Sequence, residues 1–169
     1  MCSLRTQKQP RSLQTSLSIA VQNPSNDPDV PTDIQLIQWA KAAFDTRCEQ
    51  AEITIRITDP TEGAMLNAQY RHKDGPTNVL SFSYTPPRGM ETLLLGDIVI
   101  CAAVVAVEAK DQQKPLEAHW AHMVVHGVLH LLGYDHEQAA EAVIMEALEN
   151  RILKALDFEP PYGERLINE

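Results

Sequence analysis

The segment HGVLHLLGYDH, residues 126–136, constrains this chain more than any other part of it. His126 and His130 stand four apart in a strongly helical stretch, so their imidazoles leave one helix face a turn apart. Gly133 then suits the left-handed backbone that ends a helix and reverses the chain. The reversal lets His136 fold back toward the pair. Written out, the pattern is H-x-x-x-H-x-x-G-x-x-H, the ligand spacing of metzincin zinc sites. Three imidazoles without a fourth protein ligand leave one coordination position open, as in catalytic zinc sites, where a water has its pKa lowered toward about 7. Zinc suits this donor set, one ion per chain, although nickel, copper or iron can fill it in vitro. A single histidine on an apolar helix is ordinarily a core or capping residue, and an i, i+4 pair arises by chance. Three histidines with a helix-ending glycine between the second and third are far rarer, which favours a metal.

Two further histidines precede these on the same helix, and His122 is itself four residues before His126. A ligand set of His122, His126 and His130 fails on distance. At about 1.5 Å rise per residue the outer two lie ~12 Å apart, too far for bonds of ~2.1 Å to one ion. His119 and His122 are therefore assigned to packing, to the surface, or to support of the ligands. Asp135, beside His136, either orients a ligand imidazole or forms the turn.

In zinc peptidases the residue after the first histidine is the glutamate that acts as general base. Here it is Gly127, so a peptidase built on this motif lacks its proton acceptor. The densest positive charge lies upstream, in LNAQYRHKDGPTNVLSF, with Arg71, His72, Lys73 and Asn78. An arginine fork matches phosphate oxygens and the charge of a phosphoryl transition state. A salt-bridged arginine at a helix C-terminus, where a cation is favoured, accounts for Arg71 equally well.

The 169 residues suffice for one domain with its own core, and 44% are apolar. No run approaches the ~18 apolar residues of a membrane span, and the polar start lacks the ~7–15 apolar residues of a secretion signal. The expectation is a cytoplasmic protein with no membrane partner. Cys2, Cys48 and Cys101 show no paired or CxxC spacing, so Cys48 and Cys101 are read as small core residues. The net charge of −9 argues against nonspecific coating of nucleic acid, yet allows a local basic patch.

Alternation from Leu17 predicts a strand. Thr32 and Gln35 form a capping box before a helix carrying Ile34, Ile37, Ala40 and Phe44. EITIRIT is a second strand with Ile53, Ile55 and Ile57 on one face. Asp59 caps the next helix, with Pro60 in its first turn and Glu62 reaching back, and it runs to about Arg71. VLSFSY and TLLLGDIVIC are two more strands, the latter with Gly96 at a bulge or a close backbone approach. Helices follow from about Ala102 to Gln112, from Pro115 to Gly133, and from Glu137 to Leu156. The sum is an α+β domain: a small mixed sheet of about four strands with five or so helices, mainly on one side. Residues 1–14 read as a flexible arm, 15–160 as one catalytic metal-binding domain, and 161–169 as an irregular tail.

LNAQYRHKDGPTNVLSF, LLGDIVIC, KPLEAHWAHMVVHGVLHLLGYDH and the acidic helix after them resemble the YbeY family of bacterial rRNA-maturation endoribonucleases, over about residues 15–160. The resemblance implies a single-strand-specific, metal-dependent endoribonuclease acting on the 3′ end of small-subunit rRNA and in ribosome quality control. It places the family's zinc ligands on His126, His130 and His136 and its functional arginine on Arg71. Lys73 is a further candidate for substrate contact. The expected partners are single-stranded RNA, chiefly ribosomal, and the small subunit or its assembly factors. Two alternatives remain: a ribosome-assembly binding factor with a structural metal, and an atypical metallopeptidase. Asp74, Asp97 and Asp135 are candidates for a general base.

Overall fold

A computed structural model describes residues 16–44 and 50–162; the arm over 1–14, Cys2, Cys48 and the tail past Tyr162 lie outside these residues. The alternating segments form β1 (Ser16–Gln22), β2 (Gln50–Thr58), β3 (Val79–Tyr84) and β4 (Leu93–Cys101). Around them lie α1 (Asp33–Ala43), α2 (Pro60–Arg71), α3 (Ala102–Asp111), α4 (Leu116–Leu131) and α5 (Ala139–Ala155). The sheet order is β1-β2-β4-β3; β1, β2 and β4 run parallel and β3 pairs antiparallel at the edge. This is the expected α+β class with a four-stranded mixed sheet and, among the described residues, five helices.

Local chemistry sets the helix starts. Thr32 and Gln35 make the reciprocal capping box ahead of α1. The Asp59 carboxylate accepts the Glu62 N–H at 2.8 Å ahead of α2, and Pro60 sits in the first turn. The Glu62 side chain does not reach back as expected. It takes a hydrogen bond from Arg56 Nε on β2, because a cation within reach binds a carboxylate more strongly than a neutral amide does.

One face of the sheet carries the core. Ile55 is in register with Ile98 and Ile57 with Ile100, and all four are fully buried. Against them lies α4, whose Val124, Val125, Val128 and Leu129 are buried as well. α1, α3 and α5 flank α4 in turn, so this helix is enclosed along most of its length, which explains its nearly continuous apolar sequence. α2 covers the end of the opposite face, where Gly63 packs against Thr58 and the buried Cys101.

Two glycines permit α4 to lie this close. A Cβ on Gly127 would fall 2.8 Å from Cγ2 of the fully buried Ile98 and 3.3 Å from Ser81 Oγ. A Cβ on Gly96 would fall 2.7 Å from a Leu131 methyl and 3.0 Å from the Phe82 carbonyl oxygen. The β2–β4 register runs through Gly96 without an extra residue, so this glycine marks a close approach and not a bulge. Ser81 on β3 adds a hydrogen bond to the Gly127 carbonyl at 3.0 Å.

Position 127 thus has no room for the glutamate of a peptidase motif. Gly127→Glu, which writes that motif into the chain, is expected to cost more than about 2 kcal/mol by overpacking and by burying a carboxylate. The measurement is thermal denaturation, with a fall of at least about 4 °C expected, and no peptide hydrolysis should appear in a casein assay.

Candidate metal centre

The end of α4 is built by a Schellman turn. Gly133 takes φ 98°, its N–H bonds the His130 carbonyl, and the Tyr134 N–H bonds the Leu129 carbonyl, both at 3.0 Å. Two residues later the Asp135 carboxylate accepts the His136 N–H at 2.7 Å. The chain therefore returns beside its own helix. Ring centroids lie 4.7 Å apart for His126–His130, 5.1 Å for His130–His136 and 5.5 Å for His126–His136. One nitrogen from each lies within 4.8 Å of the others, a group that can hold a metal ion.

Behind the rings sits Glu149 of α5, 1% exposed. Its Oε1 accepts from His126 Nδ1 at 2.5 Å and its Oε2 from His122 Nε2 at 2.8 Å. The Tyr162 hydroxyl lies 3.2 Å from the same His122 nitrogen, so this part of the supposed tail packs against the site. Burial opposes ionisation of Glu149, but the hydrogen bonds and charge of His122 and His126 outweigh it and hold its pKa down to about 2. With Nδ1 of His126 engaged by a carboxylate, Nε2 is the atom left to face the other two rings. His130 is held down to about 4 by burial, then by the neighbouring His126 and His136. It is neutral at physiological pH, the form a metal requires. The donor set therefore fits a zinc-type ion.

The rings form one wall of a cavity of about 470 Å³, lined opposite by Tyr70, Arg71, Thr77, Asn78, Ser81 and Phe82. Arg71 is the last residue of α2, exposed, and pairs with no carboxylate among the described residues. The loop after it is pinned by the buried Asn67, whose amide donates to the Gly75 carbonyl at 2.8 Å. Asn78 is committed to the framework: its amide donates to Glu108 at 3.0 Å and its carbonyl oxygen accepts the Val79 N–H. His119 joins that cluster, 3.2 Å from Glu108.

Not every expected residue gathers here. Lys73 and Asp74 are exposed and outside the cavity lining, and the half-buried Asp135 is outside it as well. Asp135 is 3.9 Å from the His136 ring and serves the turn through the backbone. Asp97 accepts the Tyr84 hydroxyl at 2.7 Å and lies away from the cavity, at a separate depression with Glu52 and Thr54. A second cavity of about 460 Å³, beyond Tyr84 and Leu132, carries no histidine cluster. Sequence reasoning missed Glu149, although a signal existed. It lies between the buried Met145 and Leu153 at i, i+4 spacing, a carboxylate set in the apolar stripe of α5.

The family model described as endoribonuclease YbeY matches residues 20–157, most of the chain. The solution structure of TM1509 from Thermotoga maritima aligns over 90% of this chain and 99% of that one, with a TM-score of 0.54 and 20% identity. At that identity the likeness speaks for the fold.

Glu149→Gln retains the shape of the side chain but not its charge. It is expected to lower zinc affinity about 10- to 100-fold, measured by competition with a chromogenic chelator. In metal-free protein, a histidine whose pKa is lowered from 6.5 to about 4 takes its proton more readily when unfolded. Its contribution to stability is whole above pH 6.5 and is lost as pH falls toward 4. His130→Asn should therefore flatten the fall in melting temperature over that range.

Proposed function

The chain belongs to the YbeY endoribonuclease family, and from that premise we propose that it is a metal-dependent endoribonuclease that cuts single-stranded RNA, with one zinc ion held by His126, His130 and His136. The observation that carries this reading is the sharing of one cavity by the three imidazoles and an arginine that has no carboxylate partner among the described residues. A structural arginine at a helix C-terminus would be expected to hold an ion pair, whereas a phosphate-binding one must be free to meet its ligand.

The bound metal supplies Lewis-acid polarisation of a phosphoryl oxygen and lowers the pKa of water. The chain's own residues do the rest. Arg71 places its planar donors on the phosphate and neutralises the charge that develops during cleavage. Glu149 and His122 fix the orientation of His126, and the neutral His130 offers a lone pair without first losing a proton. Gly127 and Ser81 set the depth of α4 against β3 and β4, and with it the width of the cavity. Lys73, exposed two residues past Arg71, is assigned to RNA flanking the cleaved bond. An acidic protein with its cation at the cavity meets the polyanion there and repels it elsewhere.

The substrate proposed is ribosomal RNA, at the 3′ end of the small-subunit species and in ribosome quality control, with the small subunit or its assembly factors as partners. Residues 15–160 act as the catalytic unit, in the cytoplasm; no helix among the described residues is long and apolar enough to cross a membrane.

The test is zinc analysis together with cleavage of a defined single-stranded RNA. Arg71→Ala should keep its zinc and lose about 10²- to 10³-fold in kcat. His126→Ala should lose both zinc and cleavage. Metal-free protein that cuts as fast as the loaded form would overturn the assignment. A folded His130→Ala variant that keeps ribosome association but loses rRNA processing would exclude a binding-only role.

A further inference from the structure

Two aromatic rings occupy the cavity wall beside Arg71, and the chemistry above does not use them. Tyr70 is the residue before Arg71 on α2, and Phe82 lies on β3. Their centroids are 4.8 Å apart with planes tilted by 53°, and both line the cavity that holds the histidines. The pair fastens α2 to the edge strand, as aromatic pairs do. Fastening alone is an incomplete account, because Tyr70 remains 56% exposed. A large ring backed by Phe82 and left open at the rim of a polar cavity offers a surface to another flat partner.

Resting on the endoribonuclease reading, we propose that Tyr70, backed by Phe82, is a stacking platform for the nucleobase adjoining the scissile phosphate. Successive residues then meet the two parts of one nucleotide: Arg71 takes the phosphate and Tyr70 the base. A base within a duplex is already stacked on both faces and cannot turn onto the ring, whereas an unpaired base can. The platform is thus a source of preference for single strands. It also limits sequence reading. Stacking accepts any base, and two polar side chains of the lining are already engaged: both amide atoms of Asn78 by Glu108 and Val79, and the Ser81 hydroxyl by the Gly127 carbonyl. The expected enzyme discriminates strandedness strongly and base identity weakly.

The experiment uses zinc-loaded protein and short single-stranded RNA in two forms, one with 2-aminopurine next to the cleavage position and one with an abasic nucleotide there. Fluorescence is followed in stopped flow before turnover, and cleavage kinetics afterwards. Wild type should quench the 2-aminopurine. Tyr70→Ala should lose the quench and raise KM about 5- to 100-fold on intact RNA, with kcat and zinc content little changed and the melting temperature lowered by about 1–6 °C through the lost contact with Phe82. Tyr70→Leu, which keeps apolar contact with Phe82 but has no ring, should behave alike, and Tyr70→Phe should restore quench and KM. On abasic RNA all four proteins should have the same KM. A Tyr70→Ala variant with full quench and unchanged KM overturns the platform. So does an equal loss on intact and abasic RNA, which would mark a purely structural clamp. If wild type quenches through Tyr70 yet cuts nothing, the nuclease reading fails and the platform stands. If wild type binds neither RNA, both fall.

Discussion

The structure depends on how closely α4 can lie against the sheet. At Gly127 the helix backbone rests on the side chain of Ile98, with no Cβ between them, and Ser81 ties the helix carbonyl to the edge strand. Gly96 yields on the sheet side, admitting Leu131. Because α4 is enclosed by the sheet and by its neighbouring helices, its rotation and depth are decided by packing at near-contact distances. His126 and His130 therefore leave this helix in fixed directions. A side chain at 127 would push the helix outward and widen the gap between the rings and the wall formed by α2 and β3.

A buried carboxylate provides the second support. Removing Glu149 from water is unfavourable by itself, and the two imidazoles that donate to it outweigh that cost and keep it ionised. The arrangement ties α5 to α4 at the level of the cavity and extends through His122 to Tyr162. A separate cluster of Glu108, Asn78 and His119 does the same for the start of β3. Two hydrogen-bonded clusters thus hold the walls of the cavity from behind. Its rim, with Arg71 and Tyr70, is the part left open to solvent.

Most of the elements were legible in the sequence, because their signals are local. The capping box at Thr32, the proline-started α2, the isoleucine alternation of β2 and the helix stop at Gly133 each depend on a few adjacent residues. The convergence of His126, His130 and His136 was legible for the same reason: one helix turn and one chain reversal bring the three together. The roles of the acidic residues were not. Asp135 is adjacent to a histidine in sequence but serves a turn, whereas Glu149 bonds His126 from a different helix. Hydrogen-bond partners distant along the chain leave no periodicity, and a lone carboxylate in an apolar stripe was the sole trace.

The helices, the strands and the three-histidine pattern follow from local sequence, since backbone preference and side-chain period act over a few residues. The sequence also carried the family resemblance that the match over residues 20–157 bears out. Only the packed structure shows why position 127 is glycine, which carboxylate holds His126, and that Arg71 lines the cavity of the rings without a carboxylate partner among the described residues. It placed Tyr70 against Phe82 at the same opening and left Lys73 outside it. The physical reason is common to all of these. They depend on which surfaces come within a few ångströms once α2, α4 and α5 have packed on the sheet, and no local pattern encodes that distance.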